Sequence, residues 1–226
     1  MKIRIANLER SSNNILGQIQ IIVEGMTASG KSTIVELISQ RLGFAVMPEE
    51  FRDPNDLLGR FHHDRSWAFP MQLNFLVTRF AQYLCASEEN NFVMDRSIFG
   101  DKVYAMLYYR SGYFKDSQLG CYLTLYDSLL RYVTPPKLLI LVKCPFDEIM
   151  RRIKSRGRQD EIDAGEDYWR SLYDAYEPFL DFVKNEMPGN FQVLELDLSD
   201  PEFINTPERV DAFLNDVKKF FPERFA

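Results

Sequence analysis

A glycine-rich segment near the start of the chain has the composition and spacing of a phosphate-binding loop. Two glycines separated by four residues are followed by a lysine and two hydroxyl residues, in the run Gly25-Met26-Thr27-Ala28-Ser29-Gly30-Lys31-Ser32-Thr33. Glycine permits tight turns in which backbone N–H groups surround phosphate oxygens. Lys31 supplies a charge for the outer phosphates, and the Ser32 hydroxyl is placed to ligate Mg²⁺. The segment therefore predicts a nucleotide site with bound magnesium.

A phosphate loop indicates a nucleotide without specifying a reaction, so other polar residues must decide. Glu49 follows the second predicted strand, at the carboxyl edge where open parallel sheets bind ligands. A carboxylate there can accept the proton of an attacking hydroxyl. The neighbouring Glu50 leaves the assignment ambiguous on spacing alone, and a solvated acidic turn is the alternative.

Polar residues on a long predicted helix and after the third strand form a second group. Gln72 and Arg79 are seven positions apart, hence on one helix face among apolar neighbours, where they could read the edge of a base. Asp95 ends an apolar strand, a position suited to Mg²⁺. Arg96 could clamp a phosphate, and Asp101 could pair with Arg79. Exposed helix positions and helix caps are the structural alternatives.

Five basic residues lie within eight positions of this acidic chain: Arg151, Arg152, Lys154, Arg156 and Arg158. Gly157 interrupts the run, and Gln159-Asp160-Glu161 follows it. The pattern favours a mobile basic lid over a transferring phosphate, at about residues 152–162, rather than a solvated helix face.

These side chains need a scaffold, and short apolar runs predict one. The runs Ile21–Val23, Phe92–Met94 and Leu138–Val142 have the length of buried parallel strands. We predict strands at 19–24, 44–47, 92–94, 138–142 and 192–196, and helices at 32–42, 66–86, 99–110, 116–133, 145–155, 168–185 and 206–220. The polar segment 49–64 receives no element. The alternation predicts an α/β fold, a five-stranded parallel sheet flanked by helices, as a single domain over residues 1–226. Residues 1–18 precede the first strand and receive no role.

Composition sets limits on function. The chain has 226 residues, 46% of them apolar, and a formal charge of −6. The excess of acidic over basic residues argues against partners such as polymeric nucleic acid or an anionic membrane. There is neither a signal-peptide pattern nor a twenty-residue apolar span, which favours the cytoplasm. Cys85, Cys121 and Cys144 are predicted to be buried thiols in a reducing compartment.

Taken together, these motifs resemble the deoxynucleoside kinases, the family of deoxycytidine, deoxyguanosine and bacterial deoxyadenosine kinases. The resemblance covers about residues 19–220. It rests on the phosphate loop, on Glu49 after strand two, and on Ala68-Phe69-Pro-Met-Gln72 with Arg79. It rests equally on Asp95-Arg96-Ser97-x-x-x-Asp101 and on the basic segment from Arg152 to Glu161. It is strongest to the bacterial deoxyadenosine and deoxyguanosine kinases and implies the phosphate-loop kinase fold.

The resemblance also implies roles for single residues. Glu49 would be the general base on the 5′-hydroxyl, with Arg96 beside it. Gln72, Arg79 and Asp101 would bind the base, and Glu161 would hold the sugar 3′-hydroxyl. The remaining implied sites are Ser32 and Asp95 for Mg²⁺, and Arg152, Arg156 and Arg158 for ATP phosphates. A homodimer built on the two long helices, at about 66–86 and 116–133, is implied as well.

Two departures from the family pattern stand out. The family usually has a tyrosine eleven residues before the helix glutamine, donating to the 3′-hydroxyl, where this chain has Phe61 followed by His62 and His63. Phenylalanine cannot make that bond, so either His62 substitutes or Glu161 acts alone. Glu50 stands where a proline is usual, and a second carboxylate is expected to raise the pKa of Glu49.

The predicted reaction is transfer of the ATP γ-phosphoryl group to the 5′-hydroxyl of a purine deoxynucleoside. Family members that prefer thymidine usually lack the arginine found here as Arg79, so the resemblance argues against thymidine as the acceptor. The form of the motifs favours deoxyadenosine, with deoxyguanosine or deoxycytidine possible. Two alternatives remain: a nucleoside monophosphate kinase, and a non-catalytic regulatory protein that binds nucleotide.

Overall fold

The computed structural model describes residues 19–49, 53–88, 91–186 and 191–225. Its five strands form one parallel sheet in the order β2-β3-β1-β4-β5. The strands are β1 (Ile21–Glu24), β2 (Ala45–Met47), β3 (Phe92–Asp95), β4 (Leu138–Lys143) and β5 (Gln192–Asp197). The chain places β2 and β3 on one side of β1, and β4 and β5 on the other. This reversal at β1 creates the crevice where such folds bind ligands.

The three central strands β1, β3 and β4 are apolar up to their last residue, which is Glu24, Asp95 or Lys143, because helices cover both faces of the sheet. Alternate side chains enter two separate cores. Ile21 and Val23 pack with Ile34 on one face, whereas Ile22 packs with Met94 on the other. The predicted α/β fold with a five-stranded parallel sheet is confirmed.

Helices surround the sheet on both faces. They are α1 (Lys31–Leu42), α2 (Leu57–His63), α3 (Ala68–Glu88), α4 (Ile98–Arg110), α5 (Asp116–Leu130), α6 (Phe146–Arg156), α7 (Gln159–Asp163), α8 (Glu166–Tyr176), α9 (Phe179–Glu186), α10 (Pro207–Lys219) and α11 (Pro222–Phe225). A single 3₁₀ turn, Arg65–Trp67, precedes α3. Within the described residues, no helix is long and apolar enough to cross a membrane.

Helix α2 lies in a segment for which the sequence predicted no element. The carboxylate of Asp53 accepts hydrogen bonds from the backbone N–H groups of Leu57 (2.7 Å) and Leu58 (2.8 Å), so the free N–H groups of the first turn are satisfied from outside the helix. The Phe61 side chain, which is 4% exposed, packs into the core and holds the helix against it. Asp56, the residue before the helix, makes no capping hydrogen bond with its side chain. No local capping pattern therefore marks the start of α2, and this explains why the sequence analysis missed it.

The single helix predicted over 168–185 is wrong, because the segment forms α8 and α9 with a break at Glu177 and Pro178. Proline has no N–H to donate, so the hydrogen-bonded ladder of α8 does not continue through Pro178, although Glu177 itself keeps helical angles (φ −54°, ψ −49°). The short helices α7 and α11 were also not predicted.

The expectation of three buried cysteines is wrong for two of them. Cys144 is buried, but Cys85 and Cys121 are exposed, and all three are free thiols. Cys85 lies on the outer surface of α3 and Cys121 on that of α5. Cysteine composition alone predicts average burial and does not tell which face of a helix a residue occupies.

Candidate active site

The loop between β1 and α1 requires both of its glycines. Gly25 has φ +152° and Gly30 has φ +107°, a region that side chains rarely adopt. A Cβ atom on Gly25 would lie 2.6 Å from the carbonyl oxygen of Val142, and one on Gly30 would lie 2.8 Å from a methyl group of Leu198. The loop is therefore packed tightly against β4 and the segment after β5, at the amino end of α1.

Lys31 is buried in this loop. Its ammonium group donates to the carbonyl oxygen of Met26 at 2.9 Å. Burial, and next the charge of Arg96, lower the pKa of Lys31 to about 8. An anion entering the loop would favour the protonated form.

Ser32 and Asp95 come together at the mouth of the loop. The Ser32 hydroxyl donates to Asp95 Oδ2 at 2.6 Å, and the buried Oδ1 of Asp95 has no hydrogen-bond partner among the described residues. A hydroxyl and a carboxylate oxygen are ligands that Mg²⁺ accepts. No group of three or more acidic, histidine or cysteine side chains suited to a metal occurs in the described ranges. These two residues thus fit an ion that takes its other ligands from phosphate and water.

Glu49 lies between two buried guanidinium groups. Its Oε1 accepts a hydrogen bond from Arg79 Nη2 at 2.6 Å and is 2.9 Å from Arg96 Nε. Burial opposes ionisation of Glu49, but the charges of Arg96, Arg79 and Lys31 outweigh it and hold its pKa well below its usual range. The expected rise in this pKa is therefore wrong, and Glu50, which was expected to cause it, lies outside the described residues.

Arg96 has an unusual backbone and a full set of contacts. Its φ is +66°, in the left-handed region. One guanidinium nitrogen donates to the Tyr176 hydroxyl at 3.0 Å and another to Thr27 Oγ1 at 2.9 Å. The Tyr104 ring lies 5.3 Å from the guanidinium carbon. Tyr104 and Tyr176 were not predicted, since Tyr176 is eighty residues from Arg96 with no local pattern linking them.

The residues predicted to read a base are also in contact. Arg79 Nε donates to Asp101 Oδ1 at 2.9 Å, and Gln72 Nε2 donates to the Asp101 main-chain oxygen at 3.0 Å. Two buried polar atoms of this group, Arg79 Nη1 and Asp101 Oδ2, have no partner among the described residues. Burial raises the pKa of Asp101 to about 6, against the opposing charge of Arg79.

Phe61 belongs to a cluster of aromatic side chains. Its ring centroid is 5.1 Å from that of Tyr108, and the guanidinium of Arg65 lies 4.4 Å above its ring. His62 Nε2 is 4.0 Å from Asp160 Oδ2 in α7, so His62 faces the basic segment. The structure thus places Phe61 at a packing position and His62 near the lid.

The arginines of the basic segment make two sets of contacts, one with Glu148 and the phosphate loop and the other with Glu161. Arg152 donates to the Ser29 carbonyl oxygen at 2.8 Å and to Glu148 at 2.7 Å, which ties α6 to the phosphate loop. Arg156 and Arg158 lie 3.8 Å and 3.1 Å from Glu161 Oε1. The buried Oε2 of Glu161 has no partner among the residues the structure describes.

A cleft of about 260 Å³ opens beside the loop. Its walls come from the loop, the end of α6 and the segment after β5, and include Gly30, Arg152, Arg156, Leu198 and Phe203. The cleft combines apolar walls with three cations, Arg151, Arg152 and Arg156, next to the site where phosphates are expected.

Glu24 was missed by the sequence analysis. It is fully buried, immediately before Gly25. The available signal was a carboxylate that ends an apolar strand next to the phosphate loop.

Comparisons with known proteins find a matching family, similar sequences and a similar fold. A family model described as deoxynucleoside kinase matches residues 21–222. The deoxyadenosine/deoxycytidine kinase of Bacillus subtilis (strain 168) is 30% identical over 202 residues, covering 87% of this chain and 90% of that protein. Deoxyadenosine kinase of Dictyostelium discoideum is 29% identical over 80% of this chain and 74% of its own length. A solved structure of deoxyadenosine kinase from M. mycoides superposes with a TM-score of 0.73 at 24% identity, covering 88% of this chain and 99% of that one, which is a likeness of fold.

The buried ion pair of Arg79 and Asp101 leads to a prediction about stability. Replacing Arg79 by Met keeps the volume but leaves the carboxylate of Asp101 without its partner in the interior. Breaking such a pair costs about 3–5 kcal/mol. We expect a loss of that order in the free energy of unfolding, measured by urea denaturation followed by circular dichroism.

The matched control is Arg41→Met. In the unmodified protein Arg41 pairs with Asp211, and the two side chains are 53% and 56% exposed. Exposed pairs contribute about 0–1 kcal/mol. Equal losses in the two variants would contradict a structural role for the Arg79–Asp101 pair.

Proposed function

This chain belongs to the deoxynucleoside kinase family, and from that premise we propose that it transfers the γ-phosphoryl group of ATP to the 5′-hydroxyl of a purine deoxynucleoside, deoxyadenosine first. The observation that supports this most is the double contact of Arg79. One nitrogen reaches Glu49 at 2.6 Å and another reaches Asp101 at 2.9 Å. A single rigid guanidinium thereby links the carboxylate for the acceptor hydroxyl to the carboxylate for the base.

In this proposal Glu49 orients the 5′-hydroxyl and accepts its proton. Its lowered pKa keeps it ionised at neutral pH, although it also makes Glu49 a weak base. A weak base suffices because bond formation to the acceptor lags in a loose phosphoryl-transfer transition state, so the hydroxyl proton leaves late. Arg96, 2.9 Å from Glu49, would meet the transferred group on the same side and stabilise its charge.

The donor would occupy the loop and the adjoining cleft. Backbone N–H groups of residues 25–33 and the ammonium of Lys31 would hold the phosphates, with Arg152, Arg156 and Arg158 closing over them. Ser32 and Asp95 would hold Mg²⁺, which neutralises phosphate charge when bound. The cleft of about 260 Å³ beside the loop would accept the donor base.

The base preference follows from the two unpartnered atoms of the pocket. Arg79 Nη1 is a donor, and ionised Asp101 Oδ2 is an acceptor. Adenine offers a ring acceptor, N7, beside a donating amino group, whereas guanine offers two acceptors, N7 and O6. The pair with Asp101 ionised therefore matches adenine. Cytosine, which has a donating amino group beside a ring acceptor, is the second match.

The sugar would be held from the lid. Glu161 Oε2, buried and unpartnered among the described residues, is the acceptor proposed for the 3′-hydroxyl. Phe61 offers no hydrogen bond there and contributes packing.

We further propose a cytoplasmic homodimer in which α3 and α5 form the interface. Val77 on α3 is 51% exposed, and Tyr132, just after α5, is 64% exposed and meets the Phe80 ring edge to face, with 6.4 Å between the ring centroids. Exposed apolar groups on two adjacent helices are typical of a surface that a second subunit covers.

A panel of acceptors tests the proposed reaction. Release of ADP from ATP is measured with the four deoxynucleosides and, in parallel, with their 5′-monophosphates. We expect turnover with the nucleosides only, highest kcat/KM for deoxyadenosine, and the lowest for thymidine. Turnover confined to monophosphates would favour a nucleoside monophosphate kinase, and nucleotide binding without any turnover would favour a regulatory protein.

Replacement of Glu49 by Gln tests the general base. The amide retains size but cannot accept the proton, so we expect kcat to fall by a factor of about 10²–10⁴. The dissociation constant of deoxyadenosine, measured by calorimetry, should change little. Glu36→Gln, an exposed change on α1, is the control that should leave kcat unchanged. Near-normal turnover of Glu49→Gln would remove Glu49 as the base.

The titration of Asp101 predicts a pH-dependent choice between purines. Above pH about 6 the ionised carboxylate accepts from the adenine amino group, and below it the protonated carboxyl can donate to guanine O6. The ratio of kcat/KM for deoxyadenosine to that for deoxyguanosine should therefore rise between pH 5 and about 7.5. Asp101→Asn always presents a donor, so its ratio should be lower and independent of pH. A flat ratio in the unmodified protein would contradict this assignment.

A further inference from the structure

Glu24 is a buried carboxylate for which the reaction described above has no use. It is the last residue of β1, fully buried, and directly precedes the phosphate loop. Its Oε1 accepts from the backbone N–H of Ser97 at 2.7 Å and from the Ser97 hydroxyl at 2.6 Å. Its Oε2 accepts from the Gly25 N–H at 3.3 Å. No described basic side chain forms an ion pair with it within 4.0 Å.

Two successive residues of β1, Val23 and Glu24, hold the backbone N–H groups of a strained residue, Arg96, and of the residue after it. Arg96 adopts φ +66°, which costs free energy for a residue with a Cβ and persists only when its surroundings impose it. The Arg96 N–H donates to the carbonyl oxygen of Val23 at 3.0 Å, and the next N–H, that of Ser97, donates to Glu24. Successive peptide groups around Arg96 are thus tied to successive residues of β1.

We propose that Glu24 is a positioning residue: by holding Ser97, it fixes Arg96 in the left-handed conformation that brings its guanidinium to Glu49 and to the phosphate loop. The same carboxylate holds Gly25, so one side chain connects the first residue of the loop to the residue after Arg96. This role rests on the proposed function, since it gives Arg96 its place in phosphoryl transfer.

Gly100 supports this assignment independently. It lies in the first turn of α4, and a Cβ atom there would be 3.0 Å from Glu24 Oε1 and 3.1 Å from Oε2. Glycine is a poor helix former, so its presence within α4 leaves room for the carboxylate at the expense of the helix.

The test compares Glu24→Ala with Glu24→Gln. The amide oxygen of Gln can still accept from Ser97, whereas Ala leaves both Ser97 donors without a partner. We expect kcat for deoxyadenosine to fall about 100-fold in Glu24→Ala, as for a catalytic group displaced by about 1 Å. It should fall less than about tenfold in Glu24→Gln, while nucleoside affinity stays within about threefold in both. Equal losses in the two variants would overturn the role in hydrogen bonding.

A double-mutant cycle separates positioning from general structural damage. If Glu24 acts through Arg96, then Glu24→Ala should lower kcat less than about twofold in an Arg96→Met background, because the group it positions is gone. Loss of the same 100-fold factor in that background would overturn the proposal.

Gly100→Ala serves where Glu24→Ala fails to fold. Alanine favours the helix, which offsets the crowding at its Cβ, so we expect the variant to fold; the Cβ pushes the carboxylate by a few tenths of an ångström, and kcat should fall several-fold. Unchanged kcat in this variant would count against the proposal.

A crystal structure of Glu24→Gln or Gly100→Ala provides a readout that does not depend on turnover. In Gly100→Ala we expect the Ser97 N–H to Glu24 bond to lengthen and the Arg96 guanidinium to move away from Glu49. An unmoved Arg96 would overturn the positioning role. If the unmodified protein phosphorylates no nucleoside, the proposed function fails, and this structural comparison still decides what Glu24 does.

Discussion

The site depends on the balance of charge around three buried cations, Lys31, Arg79 and Arg96. Each is at most 5% exposed, and an unpaired charge in such surroundings would destabilise the fold severely. Glu49 contacts both arginines, so one carboxylate holds the two guanidinium groups in place. Without it, they would repel each other across the crevice.

This balance also organises the reaction that we propose. Two of the cations lie next to carboxylates for which we propose separate roles: Arg79 contacts Asp101, the proposed partner of the base, and Arg96 contacts Glu49, the proposed partner of the acceptor hydroxyl. The positive side chains that recognise substrates are thereby oriented before any substrate arrives, which is the basis of electrostatic preorganisation. The formal charge of −6 therefore does not describe the crevice, where the cations Lys31, Arg79 and Arg96 lie beside the carboxylates Glu49, Asp95 and Asp101.

Much of the fold and part of the site could be predicted from the sequence, because they depend on local patterns. The glycines of the loop, the apolar runs of β1, β3 and β4, and the Gln72–Arg79 spacing on α3 each involve a short stretch of chain. The resemblance of the combined motifs then indicated the family. The predicted pairing of Asp101 with Arg79 is also present. Other predictions that needed the surroundings of a residue were wrong: the burial of Cys85, the unbroken helix through Pro178 and the direction of the Glu49 pKa shift.

By itself, therefore, the sequence determined which chemical groups are present and which strand or helix holds most of them; the exceptions are Phe61 and His62 in α2 and Glu161 in α7. The tertiary structure alone decided which of these groups meet. Glu24 meets Ser97 across 73 residues of chain, and Arg96 meets Tyr176 across 80. The parallel sheet aligns the ends of β1 and β3 through its hydrogen-bonded register, and this register brings Glu24 and Asp95 to the same edge. No pattern of local spacing contains that register, because it is set by packing between distant segments.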